Sequence, residues 1–284
     1  GFTPGPNHWK NDTRFSKSDI VTAHIQDGVT SIGGFALSDC PALKTVTIPT
    51  GVASISRYMF YNCPSLISVT IPSSVTSIEY RAFLNCSSLK SVDIPDNVTS
   101  IDEYAFSACS SLTSVNIPDK VNKIGNSVFL GCTNLSSVRF WGDKPTFGRN
   151  VFDDCAPGFT LQYDTNTTGW EGYIYDGNSP ITVIGLTAPA ITGPTSLALN
   201  AGYGATSTDA YTLTGTEPIT VEKTAGDEKI TWNGSTKKMD IAAGLTAATY
   251  SVTLKVSNGI LPDATLTFTL TVQAADTIPP VVTD

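Results

Sequence analysis

The chain has 284 residues, a formal net charge of −8 at pH 7 and a sequence pI near 4.7. Its lysines and arginines form no basic block, so we expect no binding to nucleic acid or to an anionic membrane surface. No apolar stretch approaches the ~20 residues that span a bilayer, and no signal peptide is recognisable. We therefore expect no membrane insertion by this segment, and a secreted chain whose leader has been removed fits these features.

Residues 1–19 contain few apolar side chains, and we expect an irregular lead-in there. From residue 20 the chain repeats itself every 23 residues. The same step relates an apolar residue before each cysteine, usually isoleucine, and leucine and valine after it. Stacked copies of one unit bury such positions as continuous ladders, so the pattern predicts a solenoid. The clearest markers of the period are Cys40, Cys63, Cys86, Cys109, Cys132 and Cys155.

Each repeat predicts two short strands and a compact turn. In "LKTVTIP" and its copies, apolar and polar residues alternate as in a strand, and proline ends it because it has no N–H for the ladder. "VTSI" is a second short extended piece. "EYAFSAC" contains neither glycine nor proline and fits one or two turns of helix or 3₁₀-helix. We therefore expect a mainly β solenoid with short helical turns, on the order of 30 Å long.

The unit "VTSIEYRAFLNCSSLKSVDIPDN" resembles the BspA-like leucine-rich repeats of bacterial surface proteins, and the resemblance covers residues 20–185. Gly51, Ser74, Asn97 and Lys120 stand where the common leucine-rich repeat has an asparagine ladder, and of these four Asn97 alone keeps that residue. The resemblance implies a right-handed leucine-rich-repeat solenoid and an extracellular, bacterial cell-surface location. It also implies a role in adhesion, but no particular ligand, because members of the family differ in their partners.

The repeat pattern decays after Cys155, where the strand frame persists at Leu161 and Tyr163 but glycine replaces the expected leucine at Gly158. The open end of a solenoid core must be covered, and terminal units are atypical for that reason. We predict that residues 156–185 form the C-terminal cap of a solenoid spanning residues 20–186. Similar glycine- and tryptophan-rich endings follow repeats of the family that the chain resembles.

A different composition begins at residue 187, rich in threonine, alanine and glycine and without cysteine. "YSVTLKVSNG" and "ATLTFTLTV" alternate with period two, which predicts an all-β sandwich over residues 187–275. This segment resembles the immunoglobulin-like or cadherin-like modules of bacterial surface proteins, although cadherin-type acidic calcium motifs are absent from it. Residues 276–284 are a Pro-rich linker or tail, so the chain fits a fragment of a longer protein.

The sequence offers no arrangement typical of catalysis or metal binding. The six cysteines share one repeat position, which favours inert core thiols and leaves rung-to-rung disulfides as the alternative. Their wide spacing does not fit a zinc site. His8 and His24 have no recognisable partners, and the acidic pairs Asp102–Glu103 and Asp153–Asp154 are interpreted as solvated. We expect a non-enzymatic protein without cofactor or metal.

Two groups of residues are candidates for binding. The first is the outward strand face, a row of small hydroxyl residues that begins at Thr45 and Thr47 and becomes charged toward the C-terminal repeats. The second is an aromatic group near the cap, where rings stack on sugars or anchor a protein partner if they are exposed, although aromatic residues at a solenoid end more often plug the core. The main strand-face candidates are Ser68, Thr70, Ser91, Asp93, Ser114, Asn116, Ser137 and Arg139. The cap candidates are Trp141, Tyr163, Trp170, Tyr173 and Tyr175.

These observations favour a monomeric extracellular bacterial surface protein that binds host or community macromolecules through its solenoid, in the manner of an adhesin. Two alternatives remain open at this point. In the first alternative, the chain is a glycan-binding module of a carbohydrate-scavenging system, and the aromatic cap would bind the sugar. In the second alternative, the chain is a passive spacer that holds another module away from the cell. The partner is therefore a protein or a glycan of unknown identity.

Overall fold

A computed structural model describes residues 16–175, 177–179, 181–260 and 262–274. The chain divides into two compact units, Gly1–Gly185 and Leu186–Asp284, which are treated separately below. Most of the predicted lead-in and all of the predicted tail lie outside the described residues. The described end of the lead-in forms a short 3₁₀-helix, Lys17–Asp19.

The first unit is a β-solenoid, as the repeat predicts, with one longer and one shorter strand in most repeats. The strands are β1 (Thr22–His24), β2 (Thr45–Thr47), β3 (Ser54–Ile55), β4 (Ser68–Thr70), β5 (Ser77–Ile78), β6 (Ser100–Ile101), β7 (Ser114–Ile117), β8 (Lys123–Ile124), β9 (Ser137–Phe140), β10 (Thr146–Phe147), β11 (Thr160–Asp164) and β12 (Thr182–Leu186). The longer strands pair as β1-β2-β4 and as β7-β9-β11-β12, and the shorter ones as β3-β5-β6-β8-β10. Pairing between repeats is parallel throughout the shorter ladder.

The longer ladder is interrupted at residues 91–93, which are not part of a strand. Val92 and Ile94 nevertheless stay buried, so this repeat keeps its place in the core. Asp93 occupies an outward position here, and aspartate is among the residues depleted in strands. The repeat period therefore sets burial at this point more firmly than it sets strand pairing.

The prediction of a helical turn between the two strands of a repeat is wrong. The segment consists of overlapping tight turns that begin and end on a residue with positive φ, such as Tyr58 (φ 57°) and Asn62 (φ 56°). A left-handed residue interrupts an α-helix. The backbone N–H groups of Tyr58, Phe60 and Asn62 instead donate to carbonyls of the next repeat. The turns thus form a third ladder along the solenoid.

The core consists of stacked ladders of identical side chains. Phe83 and Phe106 are parallel within 5°, with ring centroids 5.1 Å apart, and Phe129 continues the stack at 5.7 Å. Such aromatic pairs contribute about 0.5–1.5 kcal/mol beyond their buried area. The cysteines are free thiols. The Cys109 thiol donates to the carbonyl of Phe83 at 3.2 Å, and the same bond recurs in neighbouring repeats.

The second unit is built of β-strands alone among its described residues. The strands are β13 (Ala190–Thr192), β14 (Ser196–Asn200), β15 (Thr206–Ser207), β16 (Thr212–Thr214), β17 (Thr220–Ala225), β18 (Ile230–Asn233), β19 (Lys238–Ile241), β20 (Ala248–Ser257) and β21 (Ala264–Gln273). The sheet β14-β21-β20-β17 is mixed, because it contains the parallel pair β14–β21, and the sheet β15-β19-β18 is antiparallel. Ile230 and Met239 from the antiparallel sheet share a buried core with Leu254 and Phe268 from the mixed sheet.

Candidate functional site

The outward positions of the longer strand ladder, and of residues 91–93 that interrupt it, carry a row of small polar side chains, here called the strand face. Alternation along each strand buries the central valine and exposes its neighbours, as in the exposed–buried–exposed pattern of β4. Among the residues that the structure describes, no hydrogen bond or ion pair engages the side chains of this row from Thr45 to Ser137. Its members are Thr45, Thr47, Ser68, Thr70, Ser91, Asp93, Ser114, Asn116 and Ser137. The row therefore presents donors and acceptors that the fold itself does not use.

The strand face ends in a cation–aromatic pair. The guanidinium carbon of Arg139 lies 3.9 Å from the centroid of the Trp141 ring, since Trp141 directly follows β9 and stands two residues after Arg139 along the extended chain. Two candidates that the sequence placed in separate groups therefore meet in one contact. Nε and Nη2 of Arg139 are buried and have no hydrogen-bond partner. The burial lowers the pKa of Arg139, while the negative charge of Asp164 acts in the opposite direction.

Two residues beside this pair were missed by the sequence interpretation. Gln162 lies directly opposite Arg139 in the register of β9 and β11. Asp164 follows on the same strand; it is buried, and one carboxylate oxygen accepts the N–H of Asn166 at 2.9 Å. Gln162 lies one 23-residue repeat after Arg139, so the repeat period could have identified it as a strand-face position. It was overlooked because glycine replaces the expected leucine at Gly158, which makes this repeat hard to recognise.

Trp170 is 2% exposed and belongs to the core rather than to the surface. Its ring stacks on Tyr163 with centroids 5.1 Å apart and an interplanar angle of 13°, and it also contacts Phe140. Its indole N–H donates to the carbonyl of Gly142 at 3.3 Å. The geometry gives Trp170 the role of covering the open end of the solenoid, and its ring is not available to a ligand.

The other cap tyrosines are also engaged in packing. The Tyr175 hydroxyl donates to the carboxylate of Asp153 at 2.9 Å and accepts the N–H of Phe152. Burial raises the pKa of Tyr175. Tyr173 packs against Phe147 at 5.5 Å. Of the five cap candidates, Trp141 is therefore the one that extends the strand face.

The pair Asp153–Asp154 was interpreted as solvated, and this is wrong for Asp153. Its side chain is 3% exposed and accepts hydrogen bonds from Tyr175 and from two donors of Asn178. The carboxylate ties the cap segment to the last complete repeat, because a buried acid needs such donors. The signal was the repeat frame, because the residues one and two repeats before position 153 include the buried Ser107.

The thiols have the environment of core residues, not of nucleophiles. Burial raises the pKa of Cys86 and of Cys132 to about 12 and that of Cys109 well above its ordinary value. A reactive cysteine needs a lowered pKa and exposure, and these three have neither. His24 is exposed at the end of β1, and His8 lies outside the described residues.

The described residues contain neither a candidate metal-binding group nor a membrane-spanning helix. Within the described parts of the chain, no group of three or more His, Cys, Asp or Glu side chains could hold a metal ion. Across the same residues, no helix is long and apolar enough to cross a bilayer.

Comparisons with known proteins identify the repeat. No curated protein matches the chain. A leucine-rich repeat protein of T. pallidum is 27% identical, with 50% of this chain and 79% of that chain covered and a TM-score of 0.45. A leucine-rich cell surface protein of Faecalibacterium prausnitzii is 26% identical, with 52% and 55% covered and a TM-score of 0.37. A leucine-rich repeat protein of Bacteroides ovatus is 21% identical, with 58% and 61% covered and a TM-score of 0.31.

The family model of the BspA type leucine-rich repeat region matches residues 11–126 and 53–182, with six copies. These ranges together span more than half of the chain and contain every cysteine of the ladder. The chain therefore belongs to the family of proteins with a BspA-type leucine-rich repeat region.

Proposed function

We propose that the chain is a non-enzymatic bacterial cell-surface protein that binds a protein partner through the strand face of its solenoid. The observation that carries the proposal is the row of unused polar side chains that ends at Arg139 and Trp141. Repeat solenoids present extended surfaces of this kind to large partners. Membership of the BspA-type family supports the extracellular setting and the adhesin-like role.

The C-terminal end of the strand face is the strongest part of the proposed contact. Arginine and tryptophan are the residue types most enriched at the energetic centres of protein interfaces. Arg139 is held in place by the Trp141 ring, so little side-chain freedom is lost when a partner binds. The hydroxyl row from Ser68 to Ser137 then supplies weaker polar contacts along the partner.

The second unit fits an accessory module. We infer an immunoglobulin-like sandwich for residues 187–275, supported by two sheets that share one core. Such a module holds the solenoid away from the surface to which the protein is attached. The chain then acts as a monomer whose solenoid is the binding part.

The glycan-binding alternative has less support, because Trp170, the residue on which it chiefly depended, covers the core. The passive-spacer alternative would leave the strand face without a partner. Both are separated from the proposal by one binding experiment.

The proposal is tested by screening the full chain against a panel of immobilised extracellular-matrix proteins and a glycan array. For a protein that binds, Asn116→Arg and Arg139→Ala should each weaken binding on the order of tenfold or more. Asn122→Arg is the matched control, because Asn122 is exposed and lies off the strand face next to β8. Its binding should equal that of the unchanged chain.

Three results would contradict the proposal. Protein binding that survives both strand-face substitutions would place the site elsewhere. Silence across the panel and the array would favour the spacer. Hydrolysis of any glycan or peptide by the pure chain would overturn the non-enzymatic assignment.

A further inference from the structure

A second surface lies on the turn ladder, at the repeat position five residues before the cysteine. Phe35, Tyr58, Arg81 and Tyr104 occupy this position in successive repeats, all with φ between 56° and 64°. A left-handed backbone is costly for bulky residues and is usually filled by glycine, asparagine or aspartate. The companion left-handed position, four residues later, follows that rule with Asp39, Asn62 and Asn85 and departs from it at Ala108. Large side chains therefore stand where smaller ones would cause less strain.

These side chains form one aromatic cluster around a single cation, here called the turn-side cluster. Phe35 stacks on Tyr58 with centroids 4.4 Å apart. Tyr80 meets both Tyr58 and Tyr104 edge to face. The guanidinium carbon of Arg81 lies over three rings, 4.9 Å from Tyr80, 5.1 Å from Tyr104 and 5.8 Å from Tyr58. All five side chains are partly exposed, so the cluster is reachable from solvent.

The positive charge of Arg81 has no anionic partner in the part of the chain that the structure describes. Its one hydrogen bond is a long one, from Nη1 to the Tyr58 hydroxyl at 3.4 Å, and its Nε has no acceptor. The acids that directly precede Tyr80 and Tyr104 in the sequence are engaged elsewhere. Glu79 accepts the backbone N–H of Arg57, and Glu103 accepts a side-chain N–H of Asn126. The cluster therefore holds a guanidinium that lacks the carboxylate it pairs with best.

A protein surface fits this cluster better than a sugar does. A sugar ring stacks on an open aromatic face, but Tyr58 already carries Phe35, and Arg81 lies over the faces of Tyr80 and Tyr104. Tyrosine and arginine held rigidly together are typical of protein-binding surfaces, because they supply contact area at low entropic cost. The planar guanidinium adds a fork that binds a carboxylate with two hydrogen bonds.

We propose that the turn-side cluster docks a protein partner whose Asp or Glu side chain pairs with Arg81 while its apolar atoms cover the tyrosine rings. The proposal rests on the proposed function in taking the solenoid as a protein-binding unit, but it uses another face. Substitutions of one arginine in each face distinguish binding at the two faces, since Arg139 belongs to the strand face and Arg81 to the turn-side cluster.

A phage-displayed library of random linear peptides, selected on the intact chain, provides the test. Selected peptides should contain Asp or Glu, and their synthetic versions should bind the Arg81→Ala chain on the order of tenfold more weakly or worse. Replacing the peptide acid by its amide should cause a similar loss. Arg149→Ala is the matched control, because Arg149 is an exposed arginine of the same turn ladder without a ring contact. It should leave peptide binding unchanged.

Arg81→Lys and Tyr104→Ser keep the test valid if Arg81→Ala unfolds the chain, which thermal unfolding reveals. Both should weaken peptide binding while the chain stays folded. Peptides that bind all three variants as well as the unchanged chain would overturn the proposal. Peptides that instead require Arg139 would overturn it and leave the proposed function standing. Acidic sugars on a glycan array that bind through Arg81, without any peptide, would replace the protein partner by a carbohydrate.

Discussion

Two clusters of aromatic residues in the solenoid have similar compositions and different roles. In the cap, Trp170 and Tyr163 stack face to face and cover the open end of the core. In the turn-side cluster, Tyr80 and Tyr104 surround Arg81 on a partly exposed surface. Residue type alone does not distinguish the two. Position relative to the repeat distinguishes them, because the cap cluster stands where the next repeat is missing and the turn-side cluster projects from complete repeats.

The largest expected difference between the clusters is in stability. Trp170→Ala removes a buried ring from the core and should lower the free energy of unfolding by about 3–5 kcal/mol. Trp141→Ala, the matched control, removes a ring that is partly exposed and should cost about 1 kcal/mol or less. Denaturant unfolding of the two variants measures both values. Equal losses would mean that the cap ring is no more committed to packing than the surface ring.

The core beneath both clusters should respond to pH through its thiols. The ordinary thiol pKa is 9.0, and burial raises that of Cys86 and Cys132 to about 12. Below pH 9 these thiols are protonated in both states, whereas above it the unfolded chain loses protons that the folded chain keeps. Stability should therefore fall between pH 9 and about 12, by about 1.4 kcal/mol for each thiol near pH 10.

The pH prediction has a variant that isolates one thiol. Cys86→Ala should lower stability at neutral pH and should also make the loss between pH 8 and about pH 10 smaller by about 1.4 kcal/mol. Urea unfolding of both chains at the two pH values gives the comparison. An identical pH dependence in the two chains would mean that Cys86 does not titrate as a buried group.

The smallest difference concerns single hydroxyl groups. Tyr175→Phe takes one hydrogen bond from the Asp153 carboxylate, which keeps those from Asn178, and leaves the Phe152 N–H without this acceptor, so it should cost about 1 kcal/mol. Tyr104→Phe removes a hydroxyl for which the structure gives no hydrogen bond and should change stability by about 0.5 kcal/mol at most. Thermal unfolding distinguishes the two. A larger loss for Tyr104→Phe would show that the turn-side cluster is held by its hydroxyls and not by its rings.

The solenoid was predictable because its apolar positions keep one period across the chain. The cysteine, phenylalanine and leucine ladders are buried where the repeat places them, and the mainly β solenoid is confirmed. The helical turn was not predictable from "EYAFSAC", because its left-handed residues include Tyr104 and Ala108, types that rarely adopt that conformation. Hydrogen bonds to the next repeat stabilise this backbone, and a single repeat does not reveal them.

The candidate sites were predictable only in part. Alternation placed Ser114 and Asn116 on the outer face, since a strand exposes every second residue. For Trp170 the sequence favoured a plug for the core end over a ligand contact, but it could not settle the choice, because the cap has no repeat with which to align it. The turn-side cluster was missed although Tyr58, Arg81 and Tyr104 share one repeat position. A search restricted to the most constant positions overlooks such a row, because its residues differ from repeat to repeat.

The contrast between the two clusters is tested most directly by oxidative footprinting of the free chain, read out residue by residue by mass spectrometry. The account predicts rapid labelling of Tyr80, Tyr104 and Trp141 and strong protection of Trp170, which becomes reactive only when the chain is unfolded. Rapid labelling of Trp170 in the folded chain, with Tyr80 and Tyr104 protected, would contradict it. The cap would then be the exposed aromatic surface, and the turn-side cluster would be part of the packing.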